Sequence, residues 1–133
     1  MAVSEIMTTW LVSISPDNTV GDAKAIFEAK PIHHLLVIDE GKLIGVVSDR
    51  DVLRNVSPFA NTKVQSDKDL FTLSRKIRQI MTPNPITVKN TDGIRDAGKL
   101  YIKHNISLLP VVNEKEELVG VLSWKDVMRY IIV

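Results

Sequence analysis

The sequence predicts an α/β (α+β) protein made of two copies of one β-α-β-β-α unit. Three observations predict it. First, Gly45-Val46-Val47-Ser48-Asp49-Arg50-Asp51 recurs as Gly120-Val121-Leu122-Ser123-Trp124-Lys125-Asp126, and over 45–54 against 120–129 the copies are identical at six positions. Second, Ile6-Met7-Thr8 recurs 74 positions on (6 to 80) as Ile80-Met81-Thr82, and the same offset aligns Val12-Ser13-Ile14 with Ile86-Thr87-Val88 and Asp22-Ala23 with Asp96-Ala97. The offset becomes 75 at the closing segment (45 to 120), so the second copy holds one extra residue near Glu114-Lys115-Glu116-Glu117, a charged turn where an insertion costs least. Third, apolar periodicity changes in the same order in both copies.

Each unit opens with a short strand, Val12–Ser15 or Ile86–Val88. A helix follows. Thr19 and Asp22 form a capping box, and Val20, Ala23, Ile26 and Phe27 recur at helical spacing, as do Ile94, Ala97, Leu100 and Tyr101. Pro31 ends the first helix and Asn105 the second. Two strands come next, His34–Asp39 and Leu43–Ser48, joined by Glu40-Gly41-Lys42, where glycine supplies a positive φ. Leu108–Asn113 and Leu118–Ser123 are the second pair. These strands are almost continuously apolar, which suits burial on both faces. A last helix follows each serine, Asp49–Asn55 and Trp124–Ile131. Between the units lie an irregular stretch, Ser57-Pro58-Phe59-Ala60-Asn61-Thr62, and a helix from Asp67 to about Gln79. Ser66 caps that helix, and Leu70, Leu73, Ile77 and Ile80 line one of its faces. The boundaries expected are 1–56, 57–79 and 80–133.

Bulk properties exclude several classes. The 133 residues are 44% hydrophobic, enough for a sizeable core, and the net charge of +1 gives no field that favours nucleic acid or membrane. Without cysteine there are no disulfides, thiolate metal sites or cysteine nucleophiles. No uncharged apolar run reaches the roughly 18 residues of a membrane span, and the N-terminus lacks a signal-peptide pattern. A cytoplasmic protein is the default. His33, His34 and His104 share no metal spacing, and no nucleophile elbow, paired carboxylates or phosphate loop occurs, so neither a metal site nor an enzyme is expected.

The repeated Ser-x-x-Asp admits two readings. Alone it is a capping box. Yet in both copies a glycine stands three residues before the serine, leaving room for close backbone approach, and a cation, Arg50 or Lys125, precedes the aspartate. A helix start directly after a strand also offers N–H groups and a positive dipole end to an anion. Together these suit a nucleotide monophosphate, with serine, backbone and cation on phosphate and aspartate on a ribose diol. The apolar strands supply walls for a flat base.

The layout resembles tandem CBS domains, the cystathionine-β-synthase-type pair or Bateman module. The resemblance spans essentially the whole chain. It rests on Ile-Met-Thr at the start of each repeat, Leu109-Pro110-Val111-Val112-Asn113, and Gly-Val-Val/Leu-Ser-x-x-Asp at each close. The connector is similar to that of the acetoin-utilisation type of standalone CBS protein. Leu36 stands where the family commonly has proline, a change expected to alter strand geometry slightly. The resemblance implies a pseudo-twofold pair of units with two clefts, each drawing on both repeats. One site would combine Ser48, Arg50, Asp51, His33, His34 and Val46 with Thr87, Asn90 and Ile106. The other would combine Ser123, Lys125, Asp126 and Val121 with Ser13, Pro16 and Ile32. There Ser107 and Leu108 replace His33 and His34, so the first cleft is expected to bind better.

The two histidines admit another reading, a strand entrance with one ring out and one in. Trp124 either stacks on a base or packs on its neighbours, and Met7 and Trp10 are assigned to packing or a dimer contact. Tyr130-Ile131-Ile132-Val133 suggests docking on the body or a partner. The function expected is a regulatory sensor for an adenosine-containing ligand: AMP, ADP or ATP, with S-adenosylmethionine, NAD(H) or a cyclic dinucleotide as further candidates. With no catalytic, transporter or DNA-binding domain in the chain, its output is expected to pass to another protein, and a homodimer is expected. No cofactor is required. The competing classes are a ligand-free interaction module and nucleic-acid binding through Arg75, Lys76 and Arg78.

Overall fold

The computed structural model describes residues 1–56 and 66–132. The irregular stretch expected at 57–62 and the final Val133 lie outside them. The chain forms two compact units, one of residues 12–84 and the other of residues 1–11 with 85–133. Each unit therefore takes its opening Ile-Met-Thr segment from the other sequence repeat.

In the 12–84 unit the sheet order is β1 (Ser13–Ile14), β2 (His34–Asp39), β3 (Lys42–Ser48) and β4 (Thr82–Pro83). β1 runs parallel to β2, and the other neighbours are antiparallel. Helix α1 (Val20–Ala29) connects β1 to β2, and α2 (Asp49–Asn55) follows β3. The second unit repeats this with β5 (Val88–Lys89), α4 (Ile94–His104), β6 (Leu108–Val112), β7 (Leu118–Ser123) and α5 (Trp124–Ile132). Its counterpart of β4 is a single antiparallel bridge between Thr8 and Val121.

Local chemistry sets these boundaries. Thr19 Oγ1 accepts from the Asp22 N–H at 3.1 Å while the Asp22 carboxylate accepts from the Thr19 N–H at 2.9 Å, so the capping box forms. Asn105 ends α4 in the left-handed conformation, φ 51°. Both centres of the first hairpin turn, Glu40 and Gly41, have positive φ. Val20, Ala23, Leu35, Val37, Val47 and Ile77 are wholly enclosed in one core, and Val3, Ala97, Leu109, Val111 and Leu122 in the other.

One expectation needs correction. The connector helix is shorter than its apolar stripe suggested: α3 covers Asp67–Leu73 only. Lys76 is extended and bridges Thr19, the Val20 N–H donates to the Arg75 carbonyl, and Ile77–Gln79 form a separate 3-10 turn. The helix stops because Ile77 is the fully buried anchor of this turn, as Val3 is of the equivalent turn Val3–Glu5. At Leu36 the strand geometry differs slightly, as expected: its N–H donates to the Val12 carbonyl at 3.1 Å. Pro110 has no N–H to give. Parallel pairing accordingly begins at Leu36 in the first repeat but one position later, at Val111, in the second. Both middle strands carry an irregularity at the same place, after Val37 and after Val111.

Candidate functional site

Each half-site is built where a strand turns into a helix. Ser48 Oγ accepts from the Asp51 N–H at 3.1 Å, and Asp51 Oδ2 accepts from the Ser48 N–H at 2.9 Å. Ser123 and Asp126 repeat this at 3.2 and 2.9 Å. The Asp49 N–H donates to the His33 carbonyl at 3.0 Å, and the Trp124 N–H to that of Ser107 at 3.1 Å. Three backbone donors at each junction are thus satisfied within the protein. Of the N–H groups expected to face an anion, the capping box and the preceding loop engage those of Ser48, Asp49 and Asp51 in one copy and of Ser123, Trp124 and Asp126 in the other. Beside each junction stand a second carboxylate oxygen, Oδ1 of Asp51 or Asp126 (the latter 3.8 Å from Arg129 Nη1), and an exposed cation, Arg50 or Lys125.

The repeated glycines also have a structural cause. A Cβ on Gly45 would lie 2.6 Å from Met81 Sδ and 3.0 Å from the Thr82 carbonyl. On Gly120 it would lie 2.7 Å from Met7 Sδ and 2.9 Å from the Thr8 carbonyl. The close approach read into these glycines is therefore that of the Ile-Met-Thr segment, which places Met7 in packing. Val46 and Val121, the expected base-lining residues, are half-buried and pair with Thr82 and Thr8.

His33 is exposed and places Nδ1 2.8 Å from Asp49 Oδ2. His34 is half-buried, opposite Ser48 in the β2–β3 register. Burial holds its pKa below the usual histidine range; Asp49 and Asp51 pull it up, and His33 pushes it further down. The two rings thus point one outward and one inward.

The remaining expected residues lie in the opposite compact unit from the half-site they would complete. Thr87 is exposed just before β5. Asn90 follows β5 and uses its backbone, N–H to the Val112 carbonyl and C=O to the Ser4 N–H. Ile106 is half-buried against the core of its unit. Ser13 is exposed on β1, Pro16 is buried with its carbonyl accepting from the Arg78 N–H, and Ile32 packs on the other core.

Sequence reasoning passed over one place. Ile6, Asp126, Arg129 and Tyr130 line an open cavity of about 450 Å³ within one unit. The identity of Arg54 and Arg129 in the two copies was its only sequence signal. Arg129 is largely exposed, with Nη1 3.8 Å from Asp126 Oδ1. The connector cations, by contrast, are engaged. Arg78 Nη2 donates to Asp17 Oδ1 at 2.8 Å, Lys76 Nζ lies 3.8 Å from the same oxygen, and Arg75 Nη1 donates to Asn55 Oδ1 at 2.7 Å. Among the described residues no cluster of His, Asp or Glu could hold a metal ion, and no helix is long and apolar enough to cross a membrane.

The family model for the CBS domain matches residues 3–58 and again 77–133. Among solved structures, CBSX2 of Arabidopsis thaliana in complex with AMP is 28% identical, with a TM-score of 0.79 over 98% of this chain and 96% of that one. AcuB from Vibrio cholerae, assigned to acetoin utilization, is 28% identical with a TM-score of 0.78 over 99% of this chain and 90% of that one. The CBS domain pair of protein MJ0100, bound to 5′-methylthioadenosine and S-adenosyl-L-methionine, is 26% identical with a TM-score of 0.78 over 98% of this chain and 95% of that one.

Proposed function

The chain belongs to the CBS domain family, as a pair of repeats, and we propose that it is a regulatory sensor of an adenosine-containing ligand that signals to a partner protein in trans. One observation carries this reading: each repeat ends in the same capped Ser-x-x-Asp junction, with a carboxylate oxygen left over beside an exposed cation. That is the pairing a ribose and its 5′ group call for. AMP in one relative, and methylthioadenosine and S-adenosylmethionine in another, support the adenosine part. Asp51 and Asp126 hold ribose, Arg50 and Lys125 face the 5′ substituent, and Val46 and Val121 lie along the base. The protein regulates and does not catalyse.

The protein acts as a homodimer in this proposal. Ile102 on α4 and Trp124, Met128, Ile131 and Ile132 on α5 are large apolar side chains left exposed, and a second copy would cover them. Light scattering that gave a monomer at micromolar concentration would remove the dimer. The ligand-free interaction module remains the second reading, favoured by the same exposed apolar residues. Nucleic-acid binding loses support, since Arg75 and Arg78 are held by Asn55 and Asp17.

A thermal-shift panel tests the proposal with AMP, ADP, ATP, S-adenosylmethionine, NADH and cyclic dinucleotides on wild type, Asp51→Ala and Asp126→Ala. A ligand at 100 times its Kd adds about 2.7 kcal/mol, a shift of several degrees. Stabilisation that Asp51→Ala or Asp126→Ala removes is the expected result. No shift with any nucleotide rejects the sensor in favour of the interaction module.

A further inference from the structure

We infer that the two half-sites are specialised for ligand charge, with the second accepting the phosphorylated adenosine ligand and Asp49 excluding it from the first. The inference rests on the nucleotide reading above. Its basis is the one unlike pair in the repeated motif. Between positions 49 and 54 the first copy carries Asp49, Arg50, Asp51 and Arg54, two acids and two bases. Between 124 and 129 the second carries Lys125, Asp126 and Arg129, one acid and two bases. The extra carboxylate is Asp49, where the second copy has Trp124.

The surroundings enlarge this difference. Asp49 Oδ2 lies 2.8 Å from His33 Nδ1, which commits that ring nitrogen; the second copy has Ser107 at that place. His34 is half-buried, and burial favours its neutral form, so it adds no fixed positive charge. Counting donors alone made the first half-site the better phosphate binder. With one histidine tied to a carboxylate and the other kept neutral, the order reverses.

The second half-site also has space for the group. Arg129 stands over the 450 Å³ cavity beside Asp126, with Ile6 and Tyr130 as the other walls. At the Tyr130 position the first copy has Asn55. Its side chain is clamped, accepting from Arg75 at 2.7 Å and donating to the Asp51 carbonyl at 2.7 Å. A phosphate carries about −1.5 to −2 charges near neutral pH. Both copies carry an exposed arginine three residues after the aspartate, Arg54 and Arg129; the first copy alone adds the Asp49 carboxylate, and Arg129 lines the cavity beside Asp126.

Isothermal titration of AMP and of uncharged 5′-methylthioadenosine at pH 7.5 separates the terms, using wild type, Arg129→Gln and Asp49→Asn. Arg129 is largely exposed, so its replacement does not threaten the fold. Wild type is expected to take one AMP. Arg129→Gln weakens AMP about tenfold, the effect of losing one charge-assisted contact, and leaves methylthioadenosine within about twofold. Asp49→Asn admits a second equivalent of AMP. Two AMP per wild-type chain, an equal loss of both ligands in Arg129→Gln, or unchanged stoichiometry in Asp49→Asn each overturns the charge specialisation while leaving the sensor standing. If neither ligand binds wild type, the sensor reading falls and this inference falls with it.

Discussion

Gly120→Ala is the sharpest probe of how the two motifs of each unit depend on each other. Gly120 does not have a positive φ, so alanine is conformationally acceptable there and the cost is steric. The new Cβ would stand 2.7 Å from Met7 Sδ and 2.9 Å from the Thr8 carbonyl, against the 3.5–4.0 Å of a comfortable contact. Methionine can turn aside, but the carbonyl cannot move alone. Thr8 and Val121 exchange two backbone hydrogen bonds, each 2.9 Å. Withdrawing Thr8 by the required half ångström or more stretches both.

Overpacking costs about 1–3 kcal/mol and a backbone bond contributes about 1 kcal/mol net. A glycine-to-alanine change also restricts the unfolded chain, which offsets about 0.4–1 kcal/mol. The net loss is about 2 kcal/mol, or roughly 4–10 °C in Tm for a chain of this length. Urea melts followed by circular dichroism should show a lower midpoint with the same slope, and amide exchange at Val121 should quicken. Adding Met7→Ala should recover only the sulfur part, so the two changes couple without full rescue. A Gly120→Ala protein within 0.5 kcal/mol of wild type, with unchanged exchange at Val121, would refute the reasoning.

Three further outcomes follow from the same geometry. Burial lowers the folded pKa of His34, so the unfolded chain binds the proton more readily. Stability from this group is complete above the ordinary histidine pKa near 6.5 and is lost as pH falls below it. His34→Leu, the residue of the second copy, should flatten the decline in urea midpoint between pH 7.5 and 5.5. Thr19→Ala should cost about 1 kcal/mol in urea melts through loss of the α1 cap, but Thr19→Gly only a few tenths, since α4 begins on Gly93 without a side-chain cap. The Asp22 carboxylate is held below its usual pKa chiefly by the Thr19 backbone N–H and then by Asn18, so its contribution is present above pH 4 and lost as pH falls through the lowered value. Asp22→Asn should remove that part of the acid sensitivity in melts between pH 5 and 2.5.

The sequence disclosed what is local and missed what needs a partner. Ser48–Asp51, Ser123–Asp126 and Thr19–Asp22 were legible because a capping box is complete within four residues. Glu40-Gly41 and Asn105 were legible because their backbone requirement is carried by residue type. The connector helix was drawn too long because Leu70, Leu73, Ile77 and Ile80 fit one helical stripe. Only the 74-residue offset, pairing Ile77 with Val3, marks Ile77 as the anchor of a separate turn. The close backbone approach at the glycines was legible, but spacing cannot say which segment makes it.

The identity of that segment has a structural consequence for the site. Met7 covers Gly120 and Met81 covers Gly45, so each repeat's opening segment packs under the other repeat's closing strand. The strand it packs under leads directly into Ser48-Asp51 or Ser123-Asp126. Ile-Met-Thr and Gly-x-x-Ser-x-x-Asp recur together because they touch. Ile6, three residues beyond the buried anchor Val3, lies on the wall of the Asp126 cavity. The N-terminal segment therefore touches both that cavity, through Ile6, and the strand that leads into Ser123-Asp126, through Met7 and Thr8.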